Sequence, residues 1–313
     1  MTTPGWWAMA LCEAVNDKTP LAVAFAGEEL VLFRNAEGQA FALEDRCPHR
    51  RVPLALGRVV AAGLQCGYHG WTFDGASGRC TQIPNLRTNE PVPPRYAARA
   101  FPVSEGNGFV HVWLGEGVPD IDLPTDDYRP VGQQFTGSTI VNMSHEQYLA
   151  AMLDGPECLL NFAHVRMTDF FLGDVRKEHG RLVLERGAVW TTQILPSNFV
   201  VDYPLIVRTE VPVQGGSIRV DLLSEDETPL ISLAIASGAN RRGTTSLCWR
   251  GFVHAEVPAK APLRWRTARV WHKAPFTVNS LIDGSAVAAL LEAPSRDLHA
   301  ARPPRLIPVS AVV

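Results

Sequence analysis

The sequence predicts an α+β chain of two domains: an all-β N-terminal domain, then a C-terminal domain of antiparallel sheet and helices. Three observations lead there. Residues 1–118 carry short runs of β-formers separated by turn signals. A stretch rich in Pro, Asp and Gly follows from Glu116 to Arg129, a composition typical of inter-domain connections. Beyond it, several β-like runs lie between helical stretches at either end and do not alternate with them. The expected division is a domain at 1–118, a linker at 119–134 and a second domain at 135–313.

In the first domain, Leu21 to Phe25, Leu30 to Phe33 and Ala40 to Leu43 read as strands, with Asn35 to Gly38 as a hairpin turn. Leu54 to Gly63 links two short loops containing Cys and His, and Phe73 to Gly78 is a further turn. The run Gly108 to Gly115 predicts a closing strand with Phe109, His111 and Trp113 on one face and Val110, Val112 and Leu114 on the other. His111 is expected on the strand surface.

The second domain opens at Phe135 to Met143. A helical stretch from His145 to His164 comes next, then strands at Arg181 to Glu185, Val189 to Leu195, Ile218 to Leu223, Leu230 to Ala236 and Ser246 to Val253. Two helix candidates, Pro262 to Trp271 and Phe276 to Glu292, precede a Pro-rich tail. No internal repeat or low-complexity segment interrupts this order.

Composition excludes several function classes. The 313 residues are 46% hydrophobic and 19% charged, enough for one large or two moderate cores and unlike a disordered chain. A net charge of −3 gives no reason to expect nucleic acid or an anionic membrane as partner. The start lacks a basic segment followed by a long apolar run, and no apolar stretch reaches the roughly 20 residues that span a bilayer. A cytoplasmic protein is the expectation. Cys12, Cys80, Cys158 and Cys248 are scattered without a disulfide framework, which suits a reducing compartment, and Cys12, Cys80 and Cys248 are expected to be buried as small hydrophobes.

The chemistry concentrates between Cys47 and Trp71. Cys47-Pro-His49 is followed by sixteen residues and then by Cys66-Gly-Tyr-His69-Gly-Trp71. Each half offers one thiolate and one imidazole. Two such loops facing each other supply two cysteines to one iron and two histidines to another, the ligand set of a Rieske [2Fe–2S] centre. Zinc also accepts Cys2His2 ligation, but its finger spacings put both cysteines in one half and both histidines in the other.

With Arg50, Arg51, Val52, Pro53 and Leu54 after the first loop and Thr72-Phe73-Asp74 after the second, the segment resembles the cluster-binding stretch of the Rieske non-haem iron oxygenases. The smaller members, of the vanillate demethylase and dicamba monooxygenase type, are the nearest in kind. Respiratory Rieske proteins carry an extra cysteine in each loop, and none follows His49 here. The resemblance implies an N-terminal Rieske domain and a second, catalytic-type domain holding one ferrous iron by two histidines and a carboxylate. Electrons would come from a separate ferredoxin or flavin-dependent reductase, since the chain has no Gly-rich nucleotide fingerprint. They would serve O2-dependent hydroxylation or demethylation of a small organic substrate, with an aromatic the expected class, in a homotrimer or a hetero-oligomer with a homologous subunit.

Within the second domain the resemblance points to His164 as one histidine ligand and Asp283 as the carboxylate, although Asp283 also suits a helix cap. Asp154 matches an aspartate that bridges a cluster histidine to the iron site of the neighbouring subunit, although Asp154-Gly155-Pro156 is itself a turn signal. Where the first histidine belongs stands Glu157, and alignment without a gap puts Leu159 there. Three explanations stay open: Glu157 as a substitute ligand, His145 folding back from upstream, or loss of the iron site. Loss would leave an electron-transfer or structural subunit. Cys158 is a poorer donor for a ferrous site. Trp190, Trp249, Trp265 and Trp271 read first as core residues and second as a pocket for an aromatic substrate. His179, His254, His272 and His299 show no paired spacing.

Overall fold

The computed structural model describes residues 4–25, 27–87, 90–123, 133–163, 165–190, 203–213, 216–240, 243–254, 276–281 and 285. The chain divides into two compact units, Met1–Tyr128 with Gln214–Gly216 and Gly238–Arg242, and the remainder from Arg129 onward.

The first unit is all β. Its strands are β1 (Gly5–Leu11), β2 (Leu21–Phe25), β3 (Glu28–Arg34), β4 (Ala40–Glu44), β5 (Arg58–Val60), β6 (Gly63–Gln65), β7 (Thr72–Phe73), β8 (Cys80–Gln82), β9 (Ala100–Phe101), β10 (Val103–Gly106) and β11 (Phe109–Leu114). They form antiparallel sheets ordered β1-β11-β10, β2-β3-β4-β9 and β5-β6-β7-β8. The run Leu30 to Phe33 explains how two cores coexist. Leu30 and Leu32 face one apolar cluster, with Val110 and Val112, while Val31 and Phe33 face a second that contains Cys47, Cys66 and Trp71. Strand alternation therefore buries both faces of β3, each large side chain contributing about 1.5–3 kcal/mol.

The expected hairpin turn is present. Gly38 takes φ 84° and donates its N–H to the Asn35 carbonyl at 3.1 Å, while the Asn35 side chain accepts from the Gln39 N–H at 2.8 Å. His111 is a correction: it is buried, not on the surface. The reason is that β11 runs between β1 and β10, and all six of its residues are covered. Period-two alternation separates one-sided from two-sided burial only when one face is polar. Of the scattered cysteines, Cys80 is buried as expected, whereas Cys12 and Cys248 are only half-buried.

The second unit contains one large antiparallel sheet. Its elements are β12 (Gln133–Val141), α1 (His145–Asp154), α2 (Pro156–Leu159), β13 (Leu160–Phe162), β14 (Val165–Phe171), β15 (Arg176–Glu178), β16 (Arg181–Trp190), β17 (Tyr203–Pro212), β18 (Ile218–Ser224), β19 (Pro229–Ala239), β20 (Thr245–Val253) and β21 (Phe276–Val278). The order is β12-β20-β19-β18-β17-β16-β14, with β15 also on β16. α1 starts at a capping box: the Ser144 hydroxyl accepts from the Gln147 N–H at 3.2 Å and the Gln147 side chain accepts from the Ser144 N–H at 3.1 Å. Tyr148, Ala151 and Met152 then face the core.

Two helix expectations are corrected. The stretch His145 to His164 is not one helix: α1 stops at Asp154, because Gly155 leaves the helical region and Pro156 brings no N–H, and after one turn of α2 the chain extends as β13. The start of the predicted Phe276–Glu292 helix, Phe276 to Val278, is likewise a strand, paired with β13 through Leu160 with Val278, Asn161 with Thr277 and Phe162 with Phe276; Ser285 is helical, and residues 282–284 and 286–292 lie outside the described residues. Arg181 to Glu185 and the start of Val189 to Leu195 join in the single strand β16. The Pro262 to Trp271 helix lies outside the described residues.

Candidate metal centre

The two ligand loops are built alike. In the first, the Cys47 N–H donates to the Val52 carbonyl at 2.9 Å and the Arg51 N–H to the Cys47 carbonyl at 2.8 Å. In the second, the Cys66 N–H donates to the Trp71 carbonyl at 2.8 Å and the Gly70 N–H to the Cys66 carbonyl at 3.1 Å. Each cysteine is thus bonded to residues four and five places on. The fourth is left-handed both times, with φ 59° at Arg51 and 70° at Gly70. Only the histidine differs, two places after Cys47 and three after Cys66.

The scaffold beneath them is tight. A Cβ on Gly67 would lie 2.6 Å from the Leu56 carbonyl oxygen, so the second loop rests directly on the backbone of the short turn Leu54–Leu56. Asp45, buried just before the first loop, holds that turn by accepting the Ala55 N–H at 2.6 Å. Burial pushes the Asp45 carboxyl above its ordinary range, and the bonds from Ala55 and Leu54 oppose the shift.

Like ligands meet. The Cys47 and Cys66 thiols are both buried, close enough that the Cys66 sulfur acts on Cys47. The His49 and His69 rings lie 4.7 Å apart, His69 exposed. Trp71 stacks on His49 at 4.5 Å with planes 2° apart, and the exposed Tyr68 ring lies 3.9 Å from that of His69. Burial raises the Cys47 thiol to about 11; N–H groups at His49 and Arg50 oppose this, and the Cys66 sulfur adds to it. Burial, the neighbouring His69 and Arg50 hold His49 below its usual range, which favours the neutral imidazole a metal requires.

This division fits a [2Fe–2S] cluster. Among the described residues no three His, Cys, Asp or Glu side chains surround a single ion. The four candidate ligands sort instead into a thiol pair and an imidazole pair, which would give two donors to each iron, and not into the closed tetrahedron of a structural zinc site.

In the second unit, His164 and Asp283 lie outside the described residues. Among the described residues β13 pairs with β21, and the Asn279 N–H donates to the Leu159 carbonyl at 2.8 Å. Glu157 does not present a free carboxylate: its Oε2 lies 2.5 Å from Nη1 of the buried Arg186. Arg186 Nη2 also donates to the Asp154 carbonyl at 2.6 Å. His145 hydrogen-bonds Ser237 through Nε2 at 3.0 Å, and burial lowers its pKa. It lies at the opposite end of the ten-residue α1 from Asp154, about 13 Å along the axis. Trp249 packs on the core edge-on to Phe276, at 5.8 Å. Cys158 is buried. Sequence reasoning missed Arg186 and Asp45. The signal for Arg186 was its place in phase with Leu184 and Ala188 on a strand whose alternate residues point inward.

Comparison with known proteins agrees with this geometry. The Rieske [2Fe-2S] domain family matches residues 5–102. A Comamonas testosteroni iron-sulfur subunit assigned to the toluene-4-sulfonate monooxygenase system, TsaM2, is 43% identical over 116 residues, which is 37% of this chain and 32% of that protein. The match spans about a third of that relative's length. The apo structure of dicamba monooxygenase shares the fold, with a TM-score of 0.62 at 21% identity over 96% of this chain and 91% of that one. The oxygenase–ferredoxin complex of carbazole 1,9a-dioxygenase gives a TM-score of 0.53 at 18% identity, covering 80% of this chain and 72% of that one. Residues 5–102 therefore match the Rieske [2Fe–2S] domain family, and the chain shares the fold of dicamba monooxygenase.

Proposed function

We propose that this chain is the terminal oxygenase component of a Rieske system, acting with O2 to hydroxylate or demethylate a small, aromatic organic substrate. The observation that carries the reading is the sorting of buried thiols from outward imidazoles, on a fold shared with dicamba monooxygenase. A cluster bound by Cys47, Cys66, His49 and His69 would supply one-electron transfer, and an iron in the second domain would supply dioxygen activation.

The chain's own residues give the cluster its direction. Cys47 and Cys66 are shielded from water, so the route in and out runs through His49 and His69. Trp71 fixes the His49 ring plane, and Tyr68 flanks His69. Electrons come from a ferredoxin or a flavin-dependent reductase. Asp154 connects the cluster of one subunit to the iron site of the next in a homotrimer, or in a hetero-oligomer with a homologous subunit. His164 and Asp283 are the proposed iron ligands. No described helix is long and apolar enough to cross a membrane, and a cytoplasmic setting suits cysteines that are not joined in disulfides.

One observation favours a second reading, an electron-transfer or structural subunit partnered with a catalytic homologue: Glu157, the candidate third ligand, is already paired with Arg186. Iron and acid-labile sulfide per chain, measured on anaerobically purified protein, separate the two. About three irons with two sulfides support the oxygenase reading, and about two irons with two sulfides support the other. Stoichiometric zinc with no sulfide would defeat both.

A further inference from the structure

We propose that Arg186 is the resident cation of the α1–α2 junction and that Glu157 is its counter-ion, so any iron in the second unit is held without Glu157. The proposal rests on the oxygenase reading only for the interest of the position, since the contacts themselves do not depend on it.

Arg186 enters from the middle of β16, in phase with the buried Leu184 and Ala188, and is 3% exposed. Its two terminal nitrogens have different tasks. Nη2 donates to the Asp154 carbonyl in the last turn of α1, where carbonyls lack helical partners and the helix dipole is negative. Nη1 lies against the Glu157 carboxylate in the next turn, beyond Pro156. One guanidinium therefore spans the break that Gly155 and Pro156 impose, and holds both ends of it.

Charge decides between the two uses of Glu157. A guanidinium as buried as Arg186 is tolerated only with an ionised partner in contact. A divalent ion on either Glu157 oxygen would stand a few ångströms from that guanidinium in a poorly screened interior. It would also draw the carboxylate away from the arginine. With one carboxylate and a fixed organic cation already in place, the pair is neutral as it stands.

The test uses the full chain and three variants: Glu157→Gln, Arg186→Met and the double variant. Iron is counted after anaerobic reconstitution with ferrous ion, and unfolding in urea is followed by tryptophan fluorescence. Glu157→Gln should keep the wild-type iron count, whatever its value. Both single variants should shift the unfolding equilibrium, while the double variant is less destabilised than their sum by at least tenfold in the equilibrium constant, about 1.4 kcal/mol. Loss of one iron per chain in Glu157→Gln, or additive effects in the cycle, would overturn the assignment. If a single variant fails to accumulate, the exchanged pair Glu157→Arg with Arg186→Glu replaces it: accumulation of the exchange supports the pair, and its failure counts against it. A wild-type count of two irons would sink the oxygenase reading while leaving the cycle to decide the ion pair.

Discussion

Replacing Gly67 by alanine tests whether the second ligand loop owes its position to direct backbone contact. The added Cβ would sit 2.6 Å from the Leu56 carbonyl oxygen and 3.4 Å from its carbon. Carbon–oxygen contacts settle near 3.3–3.6 Å, so loop and turn must separate by about 0.7–1 Å. Neither side gives easily. The loop is fastened by the Cys66 and Gly70 bonds, and Asp45 holds the turn. Overpacking of this kind costs about 1–3 kcal/mol, and the displacement reaches Cys66 on one side and His69 two residues away on the other. The assay is iron and acid-labile sulfide per chain with visible absorbance, after purification beside wild type. The expected result is a clear fall in cluster content. Gly38→Ala is the control: Gly38 has φ 84° and a Cβ there would meet nothing within 4 Å, so the variant should lose about 1–2 kcal/mol of stability and keep its cluster. Full cluster occupancy in Gly67→Ala, with unchanged stability, would refute the argument.

Three further outcomes are expected. Trp71→Ala removes the ring stacked on His49 and edge-on to Tyr96, and should cost about 3–5 kcal/mol and much of the cluster; Trp71→Phe should retain most of it, as metal analysis and chemical denaturation would show. Asp45→Ala leaves the Leu54–Leu56 turn without its carboxylate acceptor, so a loss of about 1.5–3 kcal/mol is expected in denaturation, partly recovered in Asp45→Asn, whose amide oxygen still accepts. Burial pushes the Glu185 carboxyl up, but hydrogen bonds from Arg176 and Arg208 overcome this and leave it below its ordinary range. A depressed carboxylate stabilises the fold above its unfolded pKa, and that contribution disappears as pH falls through the folded one. After allowance for solvent screening, the wild-type advantage over Glu185→Gln should be of order 1 kcal/mol at neutral pH and vanish in acid; a pH-independent difference would contradict it.

The candidate cluster site was legible because its residues are close in sequence. Cys47, His49, Cys66 and His69 each sit in a short loop whose residue types and spacing suit a metal, and the turn at Asn35 to Gly38 declares itself by composition. Most strands of both units could also be read, since Leu21 to Phe25 or Ile218 to Leu223 carry a strong local β pattern. What could not be read was long-range. The halt of α1 at Asp154 was signalled by Gly155 and Pro156, but the apolar run beyond them suited either helix or strand, and pairing with Phe276–Val278 selected strand. His111 looked exposed because a strand's neighbours are not written in its own sequence. Glu157 could be judged as a ligand only once Arg186, 29 residues later, was seen to reach it.

The matched clasps around Cys47 and Cys66 bear on how the cofactor is acquired. Main-chain hydrogen bonds close both curves, so a cluster gripped there sits on backbone that the fold itself fastens. Metal binding must also displace the proton that burial holds on the Cys47 thiol, so uptake should quicken as the medium becomes more alkaline.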